Sequence, residues 1–108
     1  KIKNIKQVLR FIEKEKLEFD AIAFRGMSGA LITPVICYLL DKHPVLVRRG
    51  EDCHSDYSVE GETFFNSFIV IDDLISTGKT MRIILSEIEK HSKRDGQKPP
   101  ICKRNYFI

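Results

Sequence analysis

The chain has 108 residues, of which 43% are hydrophobic and 31% charged, enough for one domain (1–108) that buries a sheet and its helices. Its net charge of +3 is too mild to argue for nucleic acid and fits equally a protein that binds a polyanionic metabolite. No apolar run approaches the ~20 residues of a membrane span and no signal peptide is visible, so a cytoplasmic protein without membrane contact is expected. The three cysteines, Cys37, Cys53 and Cys102, are odd in number, widely spaced and free of any Cys-x-x-Cys pair, which reads as reduced thiols.

In chain order, Lys1 to Glu18 carries Ile2, Ile5, Val8, Leu9 and Ile12 at spacings of three or four among Lys, Glu and Gln. That pattern predicts an amphipathic helix lying on the domain. Phe19 to Phe24 reads as the first core strand. It ends at Arg25-Gly26-Met27-Ser28-Gly29, a turn whose two glycines permit unusual backbone angles and a close approach of a ligand to the main chain. A helix follows, with Leu31, Ile32, Val35, Ile36, Leu39 and Leu40 expected on its buried side and Pro34 in or near its first turn. His43-Pro44 ends the helix, and Val45 to Val47 is the next strand, closing on Arg48-Arg49-Gly50.

Glu51 to Glu62 has no apolar period and reads as a loop or short hairpin. It holds five acids, with His54 as its one candidate cation. Thr63 to Ile71 is the third strand, and a helix from Met81 runs to about His91. Ser92 to Pro100 is a polar surface loop, and Ile101 to Ile108 a closing strand. The order predicts an α/β fold, a parallel-sheet Rossmann-like core with flanking helices. In such sheets ligands sit at the carboxyl ends of the strands, and Arg25, Arg48-Arg49 and Asp72-Asp73 all fall there.

The densest chemistry lies in Phe68-Ile-Val-Ile-Asp-Asp-Leu-Ile-Ser-Thr-Gly-Lys-Thr80. A buried apolar strand stops at two carboxylates, Asp72 and Asp73. A hydroxyl-rich turn, Ser76-Thr77-Gly78-Lys79-Thr80, then opens a helix. Backbone N–H groups and hydroxyls converging in front of a helix dipole suit a phosphate monoester, and paired carboxylates suit a diol or a hydrated cation. A phosphate site beside a diol site describes a ribose 5-phosphate. The Walker A loop is set aside: it requires a glycine five positions before Gly78, where this chain has Asp73.

The segment resembles the signature of the type I phosphoribosyltransferases: apolar residues, two acids, then a Thr-Gly-x-Thr turn. The resemblance implies that fold and a site for 5-phosphoribosyl 1-diphosphate (PRPP). It assigns Ser76, Thr77, Gly78, Lys79 and Thr80 to the 5-phosphate, and Asp72 and Asp73 to the ribose hydroxyls. It assigns Arg25, Gly26, Met27 and Ser28, with Arg48 or Arg49, to the pyrophosphate, and it implies a cis non-proline peptide around Arg25-Gly26-Met27. Mg2+ is the implied cofactor, near Asp72 and Asp73 through waters. The implied activity is transfer of the phosphoribosyl group to a nucleobase with release of pyrophosphate, with Asp72, Asp73 and Arg25 catalytic. The alternative is a non-catalytic module that binds PRPP or a nucleotide. The family grips its base with a hood at the chain ends, for which this chain has little material. Ser76 stands where the 6-oxopurine enzymes carry an Asp, as in the adenine and orotate types. Relatives are commonly dimers, so a homodimer is implied.

Overall fold

The computed structural model describes the backbone of residues 5–49, 57–61, 65–72, 78–94 and 96–107. The elements are α1 (Ile5–Glu15), β1 (Ala21–Phe24), α2 (Met27–Leu40), β2 (His43–Arg49), β3 (Tyr57–Gly61), β4 (Ser67–Asp72), α3 (Gly78–Arg94) and β5 (Ile101–Phe107). One five-stranded sheet carries them in the order β3-β2-β1-β4-β5. β1 pairs in parallel with both β2 and β4, and β4 with β5. Among the described residues, only the edge strand β3 runs antiparallel, against β2.

The strand order decides where the helices go. The β1-to-β2 crossover runs toward one edge and the β4-to-β5 crossover toward the other, and right-handed crossovers in opposite directions lie on opposite faces. The core follows that division. Alternate residues of β1 and β4, Ile22, Ile69 and Ile71, pack with Val8 and Ile12 of α1 and Ile36 and Cys37 of α2. Their neighbours Ala21, Ala23, Phe68 and Val70 join Val45 and Val47 of β2 against Ile84 and Ile88 of α3. The near-continuous apolar runs of β1 and β4 are thus explained by burial on both faces.

The amino ends of the strands are stitched by Asp20. Its Oδ2 accepts the backbone N–H of Asn66 at 2.8 Å and of Ser67 at 3.3 Å. Its own N–H donates to the Ser67 carbonyl, and its carbonyl accepts from His43. Near the carboxyl ends the contact is steric. A Cβ on Gly29 would stand 2.9 Å from both the Ile71 carbonyl oxygen and the Phe24 Cβ. The absence of a side chain there lets the first turn of α2 seat on β1 and β4. The close approach that this glycine permits in the structure is to the strands β1 and β4.

Several boundaries shift. α1 is shorter than expected, ending before Lys16 at φ 51. β2 absorbs His43 and Pro44, because α2 already stops at Asp41 in the left-handed conformation, φ 56 and ψ 50. The second half of the 51–62 segment is the hairpin strand β3, and residues 50–56, His54 among them, lie outside the described residues. Pro34 sits in the interior of α2 rather than its first turn, since the helix begins as early as Met27. The expected burial of Leu31, Val35 and Leu39 is corrected: all three are exposed, while Ile36 is buried as expected and Thr33 and Cys37 join it. α2 has no charged residue to mark its outer side, so its apolar period carries no phase.

Two outcomes test this packing. Gly29→Ala would gain about 1 kcal/mol in an open helix; against the Ile71 carbonyl it is expected to cost about 1–3 kcal/mol instead, read as a lowered urea midpoint with an unchanged slope. Burial raises the Cys37 thiol to about 11 from 9.0, so native Cys37 is expected to react with a thiol reagent at least ~100-fold more slowly than after unfolding.

Candidate functional site

β1 and β4 are adjacent, and their crossovers leave in opposite directions. The gap between their carboxyl ends is therefore the topological switch point of the sheet, where open α/β folds place ligands. Register pairs Ala23 with Val70. Carried two residues further, it brings Arg25 level with Asp72, across strands about 4.8 Å apart.

On the β1 side, Arg25 follows the strand directly and is half-buried. Gly26 is the N-cap of α2, with φ −83 and ψ 168 and no side-chain capping bond, and its carbonyl accepts the Ala30 N–H at 3.0 Å. Met27 and Ser28 form the first turn of the helix, whose leading N–H groups have no intrahelical acceptor. The cis peptide expected here is corrected: no peptide bond among the described residues is cis, and Gly26 turns the chain into α2 from an ordinary extended conformation.

On the β4 side, Asp72 is the last residue of the strand. Asp73, Ser76 and Thr77 lie outside the described residues. Gly78, Lys79 and Thr80 are the opening turn of α3, three residues earlier than periodicity placed the helix start. Neither α2 nor α3 carries an acidic residue in its first turn. Two helix N-termini thus flank one crevice with no carboxylate of their own first turns to offset their positive ends.

The β2 arginines are one strand further out. Arg48 Nη2 pairs with Glu60 Oε1 of β3 at 2.7 Å, both side chains being roughly half exposed. Arg49 ends β2 across from Tyr57. The structure therefore brings Arg25, Gly26, Met27 and Ser28 together with Asp72 and with Gly78, Lys79 and Thr80 at neighbouring strand ends, and engages Arg48 with the edge strand. The acid that holds Arg48 belongs to the segment that sequence reasoning left as loop or hairpin. Only its strand pairing, Arg48 opposite Ser58, reveals the contact.

A separate cleft of about 710 Å3 opens at the other end of the sheet, between the strand starts, lined by Asp20, Lys42, His43, Phe65, Asn66 and Lys98 among others. Asp20 there is occupied with backbone N–H groups, and the cleft takes no part in the switch-point site.

Comparison with known proteins agrees with this geometry. No protein-family model matches the chain. It is 32% identical over 97 residues to the transcriptional regulator GfcR of Thermoplasma acidophilum, a match covering 84% of this chain and 45% of the relative. The chain thus spans less than half the length of the curated relative it matches. Among solved structures, adenine phosphoribosyltransferase from Thermoanaerobacter pseudethanolicus superposes with a TM-score of 0.61 at 18% identity, over 94% of this chain and 77% of the other. The Saccharomyces cerevisiae adenine phosphoribosyltransferase, complexed with D-2,5-dideoxy-2,5-imino-altritol 1,6-bisphosphate and adenine, superposes with a TM-score of 0.53 at 17% identity, over 88% and 72%. The strand order, the helices split between the two faces and these superpositions lead to one conclusion: the chain has the type I phosphoribosyltransferase fold.

Proposed function

We infer that this domain binds PRPP, or a nucleotide sharing its phosphoribosyl group, at the switch point between β1 and β4. The observation that carries this reading is the pair of helix N-termini meeting there, with Arg25 on one side and Asp72 on the other. A ligand with one phosphate at each end of a ribose satisfies both helix ends at once. That a fold neighbour was solved with a sugar-like bisphosphate and adenine supports this ligand class.

The roles are those that the resemblance assigns. The 76–80 turn takes the 5-phosphate, through backbone N–H groups and the hydroxyls of Ser76, Thr77 and Thr80. Asp72 and Asp73 accept hydrogen bonds from the two ribose hydroxyls, each such charged bond contributing about 1.5–3 kcal/mol. Arg25 and the Gly26–Ser28 backbone take the pyrophosphate, joined by Arg49 or by an Arg48 that shares its Glu60 contact. The carboxylate pair at a strand end is a hard-oxygen donor set and fits Mg2+, held chiefly through waters. When bound, the ion offsets the negative charge that the pyrophosphate would otherwise bring against Asp72 and Asp73.

What the domain does with the ligand divides into two readings. The first is ligand sensing without transfer, as a regulatory module; the sequence relation to a transcriptional regulator favours it. The second is phosphoribosyl transfer to a nucleobase, favoured by the complete set of Asp72, Asp73 and Arg25. In that reading positive charge grows on the ribose as the bond to pyrophosphate breaks. The carboxylates stabilise it, Arg25 stabilises the departing group, and fixed positions do the work.

Calorimetry with PRPP and Mg2+, paired with a pyrophosphate-release assay over a panel of nucleobases, separates them. Binding without release for any base is the expected outcome of the sensing reading; release dependent on one base establishes transfer, and absent binding overturns both. Asp72→Asn and Asp73→Asn are each expected to weaken PRPP binding ~10–100-fold. Arg25→Ala should weaken PRPP far more than ribose 5-phosphate, which lacks the pyrophosphate; equal losses for the two ligands would remove Arg25 from that role.

A further inference from the structure

The cleft at the amino ends of the strands is a second concavity with chemistry of its own. Its volume of about 710 Å3 falls within the roughly 300–1,000 Å3 of small-molecule sites. Its walls come from the separate chain segments that enter β1, β2, β4 and β5. The six-residue strand β4, about 20 Å long, keeps it apart from the switch-point crevice.

The backbone of these segments is already paired, which fixes the walls. Asp20 Oδ2 accepts the Asn66 and Ser67 N–H groups. The Asn66 carbonyl accepts from Ile101, and the Gln97 N–H donates to the Ser92 carbonyl at 2.8 Å. Half-buried Phe65 stands edge-on to buried Phe68, with ring centroids 5.8 Å apart and planes at 81°. Lys42 Nζ lies 5.0 Å from the centre of the Phe19 ring, a contact that steadies the ammonium without neutralising it. Asp41 and Lys98 are exposed and form no ion pair among the described residues.

We propose that this cleft is a second ligand site and that it takes a nucleoside monophosphate. Two cations from different segments, Lys42 and Lys98, suit the phosphate. The Phe65 ring, held by Phe68, offers a face on which a base stacks. The side chains of Asn66 and Gln97 each present a carbonyl and an NH2 group, the pairing that reads a base edge. Asp41 supplies an acceptor for ribose hydroxyls, whereas the charge of Asp20 is taken up by backbone N–H groups. A bare anion would use the lysines and leave the ring and both amides without a role. The mixed lining therefore favours the whole nucleotide over inorganic phosphate. The site does not depend on what the switch-point crevice binds.

Nitrogen–proton correlation spectra of the labelled 108-residue chain, titrated with adenosine and uridine 5′-monophosphates, test it. The expected result is saturable movement of the 41–43, 65–66 and 97–98 amides and of the Asn66 and Gln97 side-chain NH2 signals. That movement should persist in Asp72→Asn/Asp73→Asn, so failure of the switch-point reading and failure of this one are read separately. Inorganic phosphate and the free nucleosides should each bind at least ~10-fold more weakly than the nucleotide. Lys98→Gln should weaken the nucleotide ~10-fold and leave the nucleoside unchanged. Phe65→Leu should weaken both alike, with the rest of the spectrum showing that the variant folds. Movement confined to residues 25–28 and 78–80, or no movement, overturns the site. Inorganic phosphate binding as tightly as the nucleotide would reveal an anion patch alone and overturn it equally.

Discussion

The side-by-side parallel pairing of β1 and β4 is the constraint on which the other features depend. Each strand hands its chain to a helix on the opposite face, so both helices start beside one another at the same end of the sheet. The pairing holds only if α2 seats closely on it, and Gly29 permits that approach to the Ile71 carbonyl and Phe24. Asp20 ties the same two strands at their other ends through the Asn66 and Ser67 amides. Two small local devices, one steric and one electrostatic, thus hold the register that builds the crevice.

The crevice gains its chemistry from backbone as much as from side chains. Gly26 caps α2 without a side-chain acceptor, and Gly78 opens α3 with no acid in its first turn. Unneutralised helix ends are a cost to a protein that leaves them empty and an asset to one that binds anions there. The chain is similar in sequence to a transcriptional regulator and in fold to adenine phosphoribosyltransferases. The fold alone does not decide between those activities; that depends on the groups at the site.

The amphipathic signal was strong where charges mark one side of an element and silent where they do not. α1 placed Val8 and Ile12 inward as its period required. α2, apolar on every side, gave no phase, and Leu31, Val35 and Leu39 turned out to face outward. Arg48 shows a similar limit. A cation at a strand end looks available for a ligand until the antiparallel edge strand brings Glu60 within 2.7 Å.

The sequence by itself determined the alternation of helices and strands, the parallel core and the clustering of Arg25 and Asp72 at strand ends. These are local matters, set by apolar runs, turn glycines and the abrupt change from buried to charged residues. Only the tertiary structure decided which strands are neighbours, and hence that Arg25 and Asp72 stand level across one gap. It also decided that Gly29 lies against β1 and β4, and which side of α2 faces out. Those depend on contacts between residues far apart in the chain, such as Gly29 with Ile71 and Asp20 with Asn66, and no local pattern records such pairings.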